Sequence, residues 1–139
     1  MHEWALAEAI VKSIEYTALN NRRYVIRNVV IRLGELQNID VDVLNFALQE
    51  LIKELGESRH IQVLRFSLEI EEATFVCRRC GNKWRLKDLS LSEEEREAIH
   101  FIPEVVYSYI QCPYCKAHDF DILSGRGVYI ASIEFGEEA

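Results

Sequence analysis

Residues 64–81 read Leu-Arg-Phe-Ser-Leu-Glu-Ile-Glu-Glu-Ala-Thr-Phe-Val-Cys-Arg-Arg-Cys-Gly, and the fold turns on a change of pattern inside them. In the first half Leu64, Phe66, Leu68 and Ile70 alternate with Arg65, Ser67, Glu69 and Glu71. That period of two predicts a strand over residues 61–71 with one wet face. In the second half the alternation gives way to the pair Cys77 and Cys80. These open a segment, residues 72–120, that holds all four cysteines and both prolines but no long periodic run. A strand of one domain therefore leads directly into a module of another kind.

Working outward, Leu6, Ala9, Ile10, Ser13, Ile14 and Thr17 recur at helical spacing, predicting an amphipathic helix over residues 3–19 that Asn20-Asn21 stops. Residues 24–33 are rich in β-branched side chains, with Arg27, Val29, Ile31 and Leu33 on one face and Arg32 on the other, a strand that Gly34 breaks. Asp40 or Asp42 is placed to cap a second helix, with Leu44, Ala47, Leu48, Leu51, Ile52 and Leu55 apolar and Gly56 as its C′ residue. Downstream, Ser92 to Glu95 has the form of a capping box for a short helix to about Ile99. Finally Tyr129, Ala131, Ile133 and Phe135 alternate with Ile130, Ser132 and Glu134, giving a strand of about eight residues that cannot stand alone and must rejoin a sheet. The expected class is α+β. A small three-stranded sheet with two helices, residues 1–71 plus 121–139, carries residues 72–120 as an inserted, zinc-ribbon-like domain.

The chain has 139 residues, 49% hydrophobic and 28% charged, enough for one domain or a domain with an insert, and too apolar for disorder. A formal net charge of −7 argues against general binding to nucleic acid or an anionic membrane. No stretch approaches the ~20 apolar residues of a membrane span. The start Met1-His2-Glu3-Trp4 lacks the basic and apolar regions of a signal peptide. The expected compartment is the cytoplasm, where thiols stay reduced and four cysteines read as metal ligands rather than disulfides.

Cys77-Arg78-Arg79-Cys80-Gly81 and Cys112-Pro113-Tyr114-Cys115-Lys116 are two Cys-x-x-Cys knuckles separated by 31 residues. Two residues between thiols let a tight turn aim both sulfurs at one ion, and two such turns complete a tetrahedral S4 shell. Soft thiolates in that geometry select a structural Zn(II), with disulfides, a redox dithiol or an iron–sulfur site as the alternatives. A module of this size with few apparent aliphatics would depend on the ion for much of its folding. Arg78, Arg79, Lys83, Arg85 and Lys87 cluster around Trp84, leaving nucleic-acid contact open, but Glu71, Glu72, Asp88 and the run Glu93 to Glu97 surround them with acid. His118 reads as a surface residue beside a shell already complete, and His60 as ordinary surface.

No phosphate loop, His-Glu-x-x-His pair or nucleophile elbow is present, which speaks against an enzyme. The N-terminus carries different chemistry. His2 is bulky, so Met1 is expected to be retained. The Met1 amine, the backbone amides of His2 and Glu3, and the His2 imidazole then lie within one chelate. Such a set suits Ni(II) or Cu(II) in square-planar geometry rather than zinc. The plainer alternative is a solvated terminal histidine.

Met1-His2-Glu3-Trp4-Ala5-Leu6-Ala7, the segment Ile31-Arg32-Leu33-Gly34-Glu35-Leu36 and the two knuckles in order resemble the HypA family of NiFe-hydrogenase maturation nickel metallochaperones over essentially the whole chain. The resemblance implies a nickel-binding α/β domain with an inserted zinc domain. It also implies delivery of Ni(II) to the hydrogenase large-subunit precursor together with the GTPase HypB. His2 is carried over as nickel ligand, Glu3 as its neighbour giving a backbone or supporting contact, and Cys77, Cys80, Cys112 and Cys115 as zinc ligands. Two departures are Ala5, where many members have serine, and a spacer longer than in most bacterial members. That spacer holds His100, a candidate further nickel ligand, or else a side chain packed beside the end of the short helix. The open sheet admits a monomer or weak homodimer. The competing function is a zinc-ribbon module for protein docking or nucleic-acid binding, with an incidental terminal histidine.

Overall fold

The computed structural model describes residues 3–137. Its elements in order are α1 (Glu3–Asn21), β1 (Val25–Gly34), a 3-10 turn (Glu35–Gln37), α2 (Val41–Arg59), β2 (Gln62–Val63), β3 (Phe66–Glu71), β4 (Thr74–Cys77), β5 (Lys83–Arg85), α3 (Glu93–Phe101), α4 (Val106–Tyr109), β6 (Phe120–Ser124) and β7 (Val128–Phe135), with two further 3-10 turns flanking α3. The chain divides into two compact units, one of Met1–Arg32, Ile39–Glu69 and Tyr129–Ala139, the other of Leu33–Asn38 and Ile70–Val128.

In the first unit β1 is the hub, hydrogen-bonded to β2, β3 and β7. Its pairing with β2 is parallel, Val25 opposite Gln62 and Ile26 opposite Val63. Parallel neighbours need a crossover, and α2 supplies it. The sheet thus has four strands where alternation alone suggested three. The predicted strand over residues 61–71 is interrupted at Leu64–Arg65, between the bonds Leu64 N to Ile26 O (2.9 Å) and Val29 N to Arg65 O (3.1 Å). At the same point the buried phase of β1 slips from Ile26 to Val29, so Arg27 is exposed and pairs with Glu134 rather than sharing the face of Val29.

Both helices pack on one another through apolar stripes, but not quite those expected. In α1 the buried residues are Ala7, Ile10, Val11, Ile14 and Ala18, a seam at i, i+3, i+4, i+7 and i+11, while Ala9 and Ser13 face solvent. Small side chains carry too little apolar area for periodicity to place them. On that outer face Ser13 Oγ donates to Ala9 O and Thr17 Oγ1 to Ser13 O, a local back-bonding ladder. In α2 the Asp40 side chain accepts from Val43 N, as a cap should, and Leu44, Ala47, Leu48 and Leu55 are buried. Gly56 is not the C′ residue: the helix continues to Arg59 and His60 takes the left-handed conformation at φ 57°.

The second unit is built on the antiparallel sheet β5-β4-β6. Register sets Phe75 opposite Trp84 and Cys77 opposite Phe120. Phe75, Trp84 and Phe120 form a triangle with ring centroids 5.4–5.5 Å apart, and Tyr107 stacks on Phe120 at 4.9 Å. Leu36, Leu86, Ile99, Val106 and Ile110 complete a buried core with Cys77 and Cys112. This unit therefore has its own apolar interior, centred on aromatic rings with aliphatics packed around them. Ser92 and Glu95 form the reciprocal capping box that starts α3. Gly34 ends β1 as its position predicts, and does so at a close approach, because a Cβ there would lie 2.4 Å from Gly125 O.

Candidate metal centre

The first knuckle leaves the end of β4 and the second precedes β6, so the antiparallel pairing of these strands brings the four cysteines together. Their sulfurs all lie within 4.8 Å of one another, with Cys77 and Cys112 buried and Cys80 and Cys115 exposed. Among the described residues this is the only group of three or more His, Cys, Asp or Glu side chains arranged to hold an ion. Cys77 Sγ to Cys115 Sγ is 3.5 Å and Cys80 Sγ to Cys112 Sγ is 3.6 Å. A tetrahedral shell with Zn–S bonds of ~2.3 Å has edges of about 3.8 Å, so the donor set fits zinc. These separations are far from a disulfide bond, and all four cysteines are free.

The two knuckles share three hydrogen bonds donated by backbone N–H groups at equivalent positions. Cys77 N donates to Asn82 O (2.9 Å) and Cys112 N to Ala117 O (2.8 Å); Gly81 N donates to Cys77 O and Lys116 N to Cys112 O. Within each turn the second cysteine's N–H reaches the first one's sulfur, Cys80 N to Cys77 Sγ at 3.4 Å and Cys115 N to Cys112 Sγ at 3.5 Å. Arg79 N adds a bond to Cys77 Sγ at 3.3 Å. Gly81 and Lys116 both sit in the left-handed region, φ 76° and 68°.

Backbone donors favour thiolates. The N–H of Cys80 holds Cys77 below the usual thiol range. The backbone N–H of Asn82, then its side-chain amide, hold Cys80 down to about 6. At Cys115 the backbone donor at Ala117 is outweighed by the neighbouring Cys77 sulfur, burial and the other two sulfurs, and its thiol is pushed up to about 11. Four crowded sulfurs cannot all carry charge without a cation among them.

Two supports of the centre carried no sequence signal. Arg78 forks across to β6, with Nη1 to Asp119 Oδ1 and Nε to Asp121 Oδ1 both 2.9 Å, and Nη2 also on Asp121. Asn82 Nδ2 donates to Cys80 Sγ at 3.2 Å. The basic cluster around Trp84 is largely spoken for: Arg85 binds Asp88, Lys87 binds Glu72, and Trp84 itself is 3% exposed within the core rather than displayed for stacking. His118 and His60 are exposed.

Of the residues read as nickel ligands, Met1 and His2 lie outside the described residues. Glu3 opens α1, its carboxylate facing the N–H of Asp40 at 3.5 Å, which leaves its backbone as the group toward the terminus. His100 is on α3, half-buried, with Nδ1 on the carbonyl of Gln37 and its ring edge-on to Phe101. A carbonyl only accepts, so Nδ1 carries the proton and the neutral ring's lone pair is on Nε2. Gln37, buried, is held by its own bond from Gly127 N to Oε1 at 2.9 Å.

The fold and site define a small two-unit protein whose second unit is organised around a four-cysteine metal centre. The model of the family described as hydrogenase/urease nickel incorporation, metallochaperone, hypA matches residues 1–135, and the chain belongs to that HypA family. It is 46% identical over 142 residues to hydrogenase maturation factor HypA of Pyrococcus abyssi, covering 99% of this chain and 98% of that one. The corresponding factor of Pyrococcus horikoshii is 45% identical at the same coverage. In fold it resembles the solution structure of the Ni metallochaperone HypA from Helicobacter pylori, with a TM-score of 0.60 at 19% identity over 99% of this chain and 100% of that one. The family is one of metallochaperones, not of enzymes.

Proposed function

We propose that this chain carries Ni(II) on its N-terminal nitrogens and hands it to the large-subunit precursor of a NiFe hydrogenase, in the cytoplasm and with the GTPase HypB, while Zn(II) on Cys77, Cys80, Cys112 and Cys115 holds the second unit in shape. The observation that carries the reading is the full-length likeness to relatives named hydrogenase maturation factors, 46% identical for Pyrococcus abyssi. They favour hydrogenase over urease, which the family description also includes.

Nickel would be held by the Met1 amine, the amides of His2 and Glu3 and the His2 imidazole, a nitrogen set that suits square-planar Ni(II). His100 would supply a further imidazole through Nε2, since the Gln37 carbonyl fixes its tautomer. Ligands at a chain end are open to a receiving protein, and the absence of a nucleotide loop in the sequence assigns the GTP-driven step to the partner. The four-sulfur shell closes around its ion and leaves no position for exchange with substrate, which suits shape rather than transfer.

The reading is tested by calorimetric titration of Ni(II) into untagged protein, His2→Ala and His100→Ala, with zinc counted separately. One zinc per chain in all three, one nickel in the unmodified chain, loss of nickel in His2→Ala and weakened nickel in His100→Ala are expected. Equal nickel affinity in His2→Ala would remove the N-terminal site, and unchanged affinity in His100→Ala would remove the histidine alone.

A further inference from the structure

The two knuckles share backbone geometry but not side chains, and the difference falls on the two exposed sulfurs. Position 82 in the first knuckle corresponds to 117 in the second, since each carbonyl closes its turn on the N–H of the first cysteine. The first has asparagine, whose Nδ2 donates to Cys80 Sγ at 3.2 Å. The second has alanine, and among the described residues no side-chain nitrogen reaches Cys115 Sγ. Cys77 and Cys112 are shielded by burial, 2% and 0% exposed, so an incoming molecule meets only Cys80 and Cys115.

A hydrogen bond to a metal-bound thiolate withdraws electron density from sulfur and lowers its nucleophilicity. We infer that Cys115 is the reactive ligand of the centre, the sulfur at which soft electrophiles modify the zinc-loaded protein, and that Asn82 protects Cys80 from the same attack. The inference rests on the zinc reading above. The step is a displacement: the Cys115 sulfur lone pair forms the new S–C bond with an alkyl halide, the carbon–halogen bond breaks, halide leaves with its electron pair, and zinc loses one anionic ligand. The resulting thioether is a poor ligand, so the shell opens at the second knuckle first.

The test exposes untagged, zinc-loaded protein to substoichiometric iodoacetamide, quantifies carbamidomethylated peptides by mass spectrometry and follows released zinc with a chromogenic chelator. Cys115 is expected to react about tenfold faster than Cys80, the scale of one hydrogen bond to a charged group, with zinc release tracking its modification. Asn82→Ala removes the donor and Asn82→Asp keeps its size while replacing it with an acceptor. In both, Cys80 should accelerate toward the rate of Cys115, which itself should not change. Equal labelling of Cys80 and Cys115 in the unmodified chain, or an unchanged ratio in both variants that still hold one zinc, overturns the inference and leaves the zinc reading standing. A chain that binds no zinc before alkylation overturns both.

Discussion

Gly81 and Lys116 meet the same backbone demand with different residues. Each follows the second cysteine of its knuckle at positive φ, 76° and 68°, where a Cβ costs ~1–2 kcal/mol for an L-residue. A Cβ built on Gly81 meets no atom within 4 Å, so Gly81→Ala should cost about 1 kcal/mol through backbone strain alone, without a clash. Lys116→Gly relieves the corresponding strain at the cost of the exposed Lys116 Nζ to Pro113 O contact at 3.3 Å, and should gain up to about 1 kcal/mol. Thermal melts of the zinc-loaded variants should therefore move in opposite directions by a few degrees; shifts of the same sign would show that the two turns are not equivalent. The spacing of the cysteines made this site legible in the sequence, because two residues between thiols constrain a turn wherever the chain later goes. Asn82 and Gln37 were not legible: the Asn82 amide reaches Cys80 only through the shape of the turn, and Gln37 meets His100 and Gly127 only once distant segments pack.

At the scale of elements, what could be read depended on how much side-chain area marked a face. The capping box at Ser92 and the strand β7 came through because each has a local pattern with a local cause, although the alternation of β7 holds only from Ala131 to Phe135, with Tyr129 exposed and Ile130 half-buried. The short β2, the slip at Leu64–Arg65 and the continuation of α2 past Gly56 did not, since pairing and packing with distant residues decide them. The Arg78 fork that joins the β4 end to β6 belongs with these, forming over a separation of more than forty residues. Its guanidinium holds the Asp121 carboxyl below the ordinary carboxylate range. The ionised form is thereby favoured in the folded chain, so this contribution is complete above about pH 4 and lost as pH falls through the lowered folded value. In urea titrations the margin of the unmodified chain over Asp121→Asn should stay constant from neutral pH to about 5 and shrink below 4; a margin that grows in acid would assign the effect to another group. With both side chains about half exposed, the pair should contribute little.

For the molecule as a whole, the division of labour predicts that metal removal acts on one unit. The buried residues of α1 and α2 and of β1 before Leu33 include no cysteine, whereas Cys77 and Cys112 are part of the second unit's core beside Phe75, Trp84 and Phe120. Stripping the proposed zinc leaves four sulfurs within 4.8 Å that must protonate or separate, and separation pulls Cys77 off the end of β4. Without the ion the aromatic triangle and Leu36, Leu86, Ile99, Val106 and Ile110 are left as the core of some sixty residues, a size at which stability without a metal is marginal. The two tryptophans read the outcome separately: Trp4 is on α1 and 43% exposed, Trp84 is 3% exposed in the second core. In a Trp4→Phe variant, chelation under reducing conditions should shift Trp84 emission to the red and abolish its near-ultraviolet dichroism, while the far-ultraviolet helix signal of α1 and α2 persists. Loss of that helix signal at the same chelator concentration would mean that the two units fold as one cooperative body. Retention of the Trp84 signal with zinc gone would mean that the aromatic core suffices and that the ion serves the knuckles alone.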